Sequence, residues 1–380
     1  MTTNAAPPSI AALLKERVLV MDGAMGTAIQ ELKLTEADFR GERFKDAARD
    51  LKGNNELLTL TRPEVIQKIH LDYLLAGADI LETNTFTANT VSQADFGTED
   101  LVYELNYASV KLAQAAIAEL QAEYPERVCF VAGAIGPTTR SASLSPDVND
   151  PGFRNIDFNS LVTDYGLAIQ ALDDAGVDLL LIETIFDVLN AKAAIFAALS
   201  HFENTGRPLP IMISGTITDA SGRLLSGQTP EAFWASIQHA QPLSVGFNCA
   251  LGADELRTHI KDIGQYADCF ISAYPNRGLP NEFGEYDETV EAMVTSIRGY
   301  LDDGLVNIIG GCCGTTPEHI RAFSELVKGY APRQLKQQSE HTLLSGLEPF
   351  KITDASLFVN VGERTNVTGS AKFARLIREE

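Results

Sequence analysis

The sequence lacks the features that mark membrane, secreted and nucleic-acid-binding proteins. No segment approaches the roughly 18 consecutive apolar residues of a transmembrane helix, and residues 1–19 hold no apolar run long enough for a signal peptide. Basic side chains are scarce, with 30 Lys and Arg against 51 Asp and Glu, which gives a net charge of −21. Such a charge repels phosphate backbones and anionic lipids, so we expect no nucleic-acid partner, no membrane partner and, by default, a cytoplasmic location.

Cysteine is also rare. The five cysteines are an odd number, and they are clustered rather than spread along the chain as a disulfide framework, which fits a reducing compartment. The 45% hydrophobic content is ordinary for a globular protein, so a large core is available. A chain of 380 residues is long enough for one (β/α)8 barrel plus additional material.

Eight short apolar runs, each followed by a helical stretch, predict an α/β fold. Because the runs are continuous rather than alternating, they are typical of strands buried on both faces of a parallel sheet. Eight such strands within residues 10–330 favour a (β/α)8 TIM barrel, with a doubly wound open sheet as the alternative. The predicted strands are Val18–Met21, Ile80–Leu81, Cys129–Ala132, Leu179–Ile182, Ile211–Ile213, Val245–Phe247, Cys269–Ala273 and Asn307–Ile309.

Proline and glycine place the helix ends. Pro-Glu pairs begin at Pro63, Pro230 and Pro317, and both residue types suit the first helical turn. Gly77, Gly176 and Gly304 each stand just before a predicted strand, where a left-handed glycine can end a helix.

The amino-acid composition changes after the last predicted helix. Residues 331–352 are polar and predict a linker or a strap over the barrel surface. Residues from Leu357 onward resemble one further buried strand and its turn. A lone strand and half a helix cannot form a domain, so we expect residues 353–380 to be the truncated beginning of a second module.

Three cysteines fall at predicted strand ends, where a TIM barrel carries its catalytic groups. Cys249 follows strand six, and Cys312 and Cys313 follow strand eight. Cys129 and Cys269 begin their strands at the opposite end, where they are interpreted as small buried hydrophobic residues. Three thiolate ligands suit Zn²⁺ and leave its fourth position for a substrate.

Other roles remain open for the adjacent cysteine pair. A disulfide between neighbours is disfavoured, because a trans peptide holds the Cα atoms ~3.8 Å apart, below the usual ~4.4 Å minimum. Core packing is disfavoured by the surrounding glycines, whereas a redox switch stays possible. A zinc site with three thiolates has a net charge of −1, so a coordinated thiol loses its proton yet stays nucleophilic. Such a site suits alkyl transfer to sulfur.

Acidic residues end three other strands. Asp22-Gly23-Ala24 is either a tight turn or a loop whose N–H groups hold a carboxylate while Asp22 meets an ammonium group. Glu82 and Glu183 each end an apolar strand. Two such carboxylates beside Asp22 indicate a pocket for a cationic amino group.

Together these motifs resemble the homocysteine methyltransferase family, and within it the N-terminal modules of cobalamin-dependent methionine synthases. The resemblance runs from about residue 10 to 330. The matching motifs are Met21-Asp-Gly-Ala-Met-Gly-Thr, Glu82-Thr-Asn-Thr-Phe, Gly133-Ala-Ile-Gly-Pro, Glu183-Thr, Gly246-Phe-Asn-Cys249, Tyr274-Pro-Asn and Gly310-Gly-Cys-Cys-Gly-Thr.

The resemblance implies a (β/α)8 barrel that binds zinc through Cys249, Cys312 and Cys313 and activates homocysteine as a thiolate for S-methylation to methionine. It implies that Asp22 and Glu183 hold the homocysteine amino group, and that the loop of Gly23 and Ala24 holds the carboxylate. It also implies that Asn276 can approach the zinc when substrate is absent.

Residues 359–370, Val-Asn-Val-Gly-Glu-Arg-Thr-Asn-Val-Thr-Gly-Ser, resemble the first strand of a folate-binding barrel. This favours methylcobalamin, recharged from 5-methyltetrahydrofolate, as the methyl donor, with cobalamin-binding and folate-binding modules as partners. The alternatives are a betaine- or S-methylmethionine-type enzyme, which would not carry this motif, and a non-enzymatic module with a closed structural zinc.

Overall fold

The computed structural model describes residues 8–218, 221–282, 286–337, 341–360, 362 and 367–379. Eight parallel strands form one sheet, in the order β1-β8-β7-β6-β5-β4-β3-β2. They are β1 (Leu19–Val20), β2 (Ile80–Glu82), β3 (Phe130–Ile135), β4 (Leu179–Ile185), β5 (Ile211–Gly215), β6 (Ser244–Gly252), β7 (Phe270–Asn276) and β8 (Ile308–Ile309). All eight predicted strands are present, with small differences at their ends.

The sheet closes into a barrel at β1. This strand pairs with β8 through Leu19 and Ile308, and a parallel bridge between Met21 and Ile80 joins it to β2 on its other side. The Asp22 amide donates to the Ile80 carbonyl over 3.0 Å, which extends the contact to the strand ends. The predicted (β/α)8 barrel is therefore confirmed, and the open-sheet alternative is wrong.

Helices surround the strands. The α-helices of the described ranges are α1 (Ile10–Glu16), α2 (Met25–Glu31), α3 (Glu36–Arg40), α4 (Leu58–Thr61), α5 (Pro63–Ala76), α6 (Thr90–Gln93), α7 (Val102–Glu123), α8 (Phe158–Asp174), α9 (Val188–Thr205), α10 (Pro230–Ile237), α11 (Ala253–Tyr266), α12 (Val290–Asp302), α13 (Pro317–Val327) and α14 (Ala371–Glu379). Short 3₁₀ turns span Asn55–Leu57, Glu99–Leu101 and Gln238–Ala240. In the described part of the chain, no helix has the length and apolar character needed to cross a bilayer.

Two hydrophobic layers hold the barrel together. Outside the strands, apolar side chains of the helices pack on the sheet in one continuous core. Inside, a second cluster joins Leu19, Leu181, Met212 and Ile308 to Ile10 and Leu14 of α1. Helix α1 therefore covers the N-terminal end of the barrel, which leaves the opposite end for a site.

The predicted helix ends are confirmed. Pro63, Pro230 and Pro317 each occupy the first turn of a helix. Gly77, Gly176 and Gly304 have positive φ angles of 110°, 84° and 60°. These left-handed residues reverse the chain into β2, β4 and β8.

Residues 331–337 and 341–352 hold more structure than a plain linker would. Arg333 is buried, and its guanidinium donates to the carbonyls of Cys269, Gly264 and Ala267 beneath the barrel. The strands β9 (Thr342–Ser345) and β10 (Pro349–Ile352) then form an antiparallel hairpin. The Ser345 hydroxyl donates to the Ala232 carbonyl of α10, so this hairpin lies against the outside of the barrel.

The further buried strand predicted from Leu357 onward is wrong within the described residues. Residues 357–360 have no regular secondary structure, and Leu357 and Phe358 are 100% and 87% exposed. Within the described ranges no neighbouring strand covers them, and an unpaired strand has little stability of its own. Residues 361 and 363–366 of the folate-like motif lie outside the described residues.

Candidate active site

The C-terminal ends of the strands surround a pocket of about 360 Å³. The predicted site residues that line it are Asp22, Gly23, Ala24, Glu183, Cys249, Cys312 and Cys313. Residues from β1, β2, β4, β6 and β8 thus meet at one opening, as the barrel topology requires.

Asn276 ends β7, is buried, and does not line this pocket. Its neighbours Pro275 and Arg277 bond the backbone of Cys312 and Cys313, so Asn276 lies beside the cysteine loop. Its Oδ1 atom has no hydrogen-bond partner in the described part of the chain. A role near a metal therefore stays a prediction for this residue.

The three cysteines converge at the pocket wall. The Cys313 Sγ atom lies 3.9 Å from Cys249 Sγ and 4.0 Å from Cys312 Sγ. All three sulfur atoms lie within 4.8 Å of one another, and they form a potential metal-binding group. Tetrahedral zinc with bonds of about 2.3 Å would separate two sulfurs by about 3.8 Å, so the spacing fits that ion closely.

The adjacent cysteines are held by contacts on both sides of their loop. The Cys312 amide donates to the Pro275 carbonyl, and the Arg277 amide donates to the Cys313 carbonyl. Gly314 has a φ of +82°, and a Cβ atom there would lie 2.5 Å from the Tyr286 ring. The glycines around the pair therefore allow close packing of the loop.

Cys249 owes its direction to an irregular strand end. The pairing of β6 with β7 shifts register between Asn248 and Gly252. Within this shift Cys249 and Ala250 have positive φ angles of 60° and 55°. Such angles are strained for residues other than glycine, and bulges of this kind re-aim side chains next to functional sites.

In the metal-free cluster the three thiols differ in acidity. Hydrogen bonds from Cys249 and Cys312 lower the pKa of Cys313 to about 3, and a bond from the Tyr286 hydroxyl also lowers it. Hydrogen bonds with Cys249 and Cys313 raise the pKa of Cys312 well above its usual range. A bond from Cys312 lowers the pKa of Cys249, but its bond to Cys313 and burial outweigh this and raise it to about 11. The hydrogen bonds of the cluster therefore favour ionisation at Cys313.

Four carboxyl groups also line the pocket, those of Asp22, Glu56, Glu82 and Glu183. Among the described lining residues none is Lys, Arg or His. Burial, followed by the charge of Glu82, raises the pKa of Asp22 well above its usual range. Burial raises the pKa of Glu82 to about 7. Burial, then Glu82, Asp22 and Cys313, raise the pKa of Glu183.

Asn248 fixes the position of Glu183. This fully buried amide donates from Nδ2 to Thr184 Oγ1 over 2.8 Å and to Glu183 Oε2 over 3.4 Å. Its Oδ1 accepts from Ser214 Oγ over 2.7 Å. Thr184 has a φ of +51° beside a register shift in β4, so a second strand end is also re-aimed into the pocket.

The loop after β1 approaches the pocket with little space around it. A Cβ atom at Gly23 would lie 2.8 Å from Thr315 Oγ1 and from the Tyr73 ring, so only glycine fits. The Ala24 amide donates to Thr315 Oγ1 over 3.2 Å. A ligand carboxylate that bonds this amide must therefore share it with, or displace, the Thr315 hydroxyl.

Residues 19–327 match the homocysteine S-methyltransferase family. The chain belongs to this family. Membership makes the chain a methyltransferase and supports methylation of homocysteine in general. The family resemblance predicted from the motifs is thereby confirmed.

Solved structures with the same fold include a homocysteine methyltransferase, MmuM, from Escherichia coli. Its metallated and oxidized forms are 24% identical to this chain, with a TM-score of 0.65, over 83% of this chain and 98% of that one. Its apo form is 23% identical, with a TM-score of 0.60 over the same shares. At this identity the likeness supports the barrel fold alone.

Two pocket residues carried no signal in the sequence that assigned them a role. Tyr286 lies in the long segment between β7 and α12, where nothing in the strand pattern fixes its place, yet its hydroxyl reaches Cys313. Glu56 lines the pocket from the 3₁₀ turn after α3, outside the barrel's repeating units.

Proposed function

We propose that this chain is the homocysteine-activating module of a cobalamin-dependent methionine synthase. The observation that carries the proposal is a pocket lined by three convergent sulfurs and by the carboxyl groups of Asp22, Glu56, Glu82 and Glu183. An amino acid that carries a thiol and an ammonium group matches both kinds of group at once.

The three cysteines are the proposed zinc ligands. Thiolates are preferred by Zn²⁺, and the sulfur separations fit its tetrahedral geometry. Among the described residues the potential metal-binding group has three members, which supports an open catalytic site over a closed structural one. When bound, the ion would let the homocysteine sulfur lose its proton at neutral pH.

The protein's own residues would orient the substrate. Asp22 and Glu183 receive the ammonium group, and the loop of Gly23 and Ala24 receives the carboxylate at the beginning of α2. The homocysteine sulfur then faces the three cysteines, and its S–H proton is released to solvent. A new S–CH₃ bond forms as the methyl group leaves its donor, whose leaving atom keeps the electron pair.

The proposed donor is methylcobalamin, recharged from 5-methyltetrahydrofolate on further modules. Its support is the resemblance of residues 359–370 to the start of a folate-binding barrel. Betaine and S-methylmethionine are the rival donors, because members of the same family use different methyl sources.

Metal content and donor trials test the two parts of the proposal separately. We expect about one zinc per chain, and we expect Cys312→Ala to lose both zinc and activity while Cys269→Ala, at the far end of the barrel, keeps both. Full zinc content in Cys312→Ala would refute the ligand assignment.

For the donor, each candidate is supplied with homocysteine and zinc-loaded protein. We expect methionine from methylcobalamin, slowly, because a donor that is not tethered lacks positioning. We expect none from methyltetrahydrofolate alone. Faster methylation from betaine or S-methylmethionine would replace the proposed donor and leave the zinc site standing.

A further inference from the structure

The pocket is lined by more carboxyl groups than one ammonium ion needs. Asp22 Oδ2 accepts a hydrogen bond from the Glu82 amide over 3.0 Å, while the buried Oδ1 atom has no partner in the described residues. Asp22 is 3% exposed. A buried carboxylate oxygen without a donor is costly when ionised, so the charged form of Asp22 is disfavoured unless a cation enters the pocket.

The surroundings of the Asp22–Glu82 pair add negative rather than positive charge. Tyr73 of α5 and Tyr274 of β7 face the pair as neutral hydroxyls, because burial raises the pKa of each. The acidic groups that face the same pocket from other elements are Glu56, Glu183, Cys249, Cys312 and Cys313. No Lys, Arg or His lines it among the described residues.

A buried carboxyl group, Asp22, and a partly buried one, Glu82, line one pocket with no Lys, Arg or His among its described lining residues, so both are disfavoured from being ionised together at modest pH. Neighbouring acids then titrate as a pair, with one proton held more tightly than either group would hold it alone. The pKa of Glu82 near 7, raised by burial, supports a proton held at neutral pH. The positive charge of an ammonium group near the carboxyl groups of Asp22 and Glu82 would stabilise both as carboxylates, so the proton would no longer be held.

We propose that Asp22 and Glu82 share one proton while the pocket is empty and release it to solvent when the ammonium group of the substrate enters. This rests on the proposed function only in taking an amino acid as the ligand. One O–H bond breaks, the proton leaves, and the resulting carboxylate pairs with the ammonium. The charge of the pair and its surroundings is thereby preserved. Glu82 thus joins Asp22 and Glu183 as a determinant of specificity for a charged amino group.

Methionine separates this proton from the thiol proton, since it has the ammonium group but no S–H bond. Calorimetry in two buffers of different ionisation heat, near pH 6 with zinc-loaded protein, counts the protons released on binding. We expect about one proton with methionine and about two with homocysteine. Glu82→Gln should lower both counts by about one. Asp164→Asn, a buried acid outside the pocket whose pKa burial also raises, should leave both unchanged.

The two counts distinguish the possible failures. No proton with methionine and one with homocysteine would overturn the shared proton and leave thiol activation standing. One proton with each ligand would support the shared proton and contradict thiol activation. If Glu82→Gln does not fold or bind, infrared difference spectra of the wild-type protein decide: methionine should abolish the C=O stretch of a protonated carboxyl group, and its persistence would overturn the proposal.

Discussion

At the scale of single residues, the acidity of the cysteines determines how zinc would bind. Hydrogen bonds from Cys249 and Cys312 lower the pKa of Cys313 to about 3, which favours one thiolate in the cluster before zinc binds. Those two thiols keep their protons at neutral pH, since the pKa of Cys249 is about 11 and that of Cys312 is higher than usual. Zinc must therefore displace two protons rather than three.

The first prediction is that zinc affinity rises about a hundredfold for each pH unit between about pH 6 and 8. The sign follows because protons compete with zinc for Cys249 and Cys312 below their pKa values, and this competition weakens as the pH rises. Competition with a chelator at several pH values gives the slope. A slope near three would mean that Cys313 is also a thiol, and a slope near zero would remove the cysteines as ligands.

The second prediction concerns Glu183, whose carboxylate is oriented by Asn248. Glu183→Gln removes a charge-assisted bond to the substrate ammonium, worth roughly 1.5–3 kcal/mol, so homocysteine should bind about 10- to 150-fold more weakly. Titration of the zinc-loaded variant measures this affinity. Zinc content should be unchanged, because the residue is not a proposed ligand. Unchanged affinity would return Glu183 to a structural role.

The site residues differ in how far the sequence could predict them. The three cysteines were predicted to meet because strand ends of a barrel share one rim, whatever their distance along the chain. Tyr286 was missed because it lies ten residues after Asn276, in a segment whose path depends on tertiary packing. The positive φ angles of Thr184 and Cys249 were also beyond prediction, since neither residue is one that favours left-handed backbone.

At the scale of elements, continuous apolar runs predicted every barrel strand, because a strand buried on both faces leaves a strong signal. The sequence after the last barrel helix gave a weaker signal. The hairpin of β9 and β10 was predicted as linker because its strands are four residues each and mostly exposed. The same logic failed at Leu357, where an apolar run has no sheet to join among the described residues.

The third prediction compares two left-handed glycines that end helices. At Gly77 a Cβ atom would lie 2.3 Å from Ser324 Oγ and 2.6 Å from Ser324 Cβ, whereas at Gly304 it would meet open space. Both alanine substitutions carry the left-handed strain of about 1–2 kcal/mol. Gly77→Ala adds the clash between α5 and α13, so its free energy of unfolding in urea should fall clearly further.

Ser324→Gly provides the control for that pair. It removes the atoms that the new methyl group would meet, so it should recover part of the loss in Gly77→Ala and none in Gly304→Ala. Equal losses for the two glycine variants would mean that the helices move apart at no cost.

At the scale of the whole molecule, the cysteine cluster joins strands that are not neighbours. Cys249 belongs to β6, while Cys312 and Cys313 follow β8, and β7 lies between them in the sheet. A metal bound by all three cysteines would link the C-terminal ends of β6 and β8 across β7. Because the closed barrel shares one continuous outer core, such a link should stabilise the domain as a unit rather than one loop.

The last prediction is therefore a thermal one. An ion that binds only the folded state stabilises it by about 4 kcal/mol when its free concentration is a thousand times Kd. In a domain of roughly 310 residues each kcal/mol raises Tm by about 1.5 °C, so a chelator should lower Tm by about 6 °C. Cys312→Ala should melt near the chelated wild type and should not respond to chelator, whereas Cys269→Ala should respond fully. A chelator-induced shift in Cys312→Ala as large as that of the wild type would mean that the stabilising metal is bound elsewhere, because a site that has lost one of three thiolates cannot hold zinc with the same free energy.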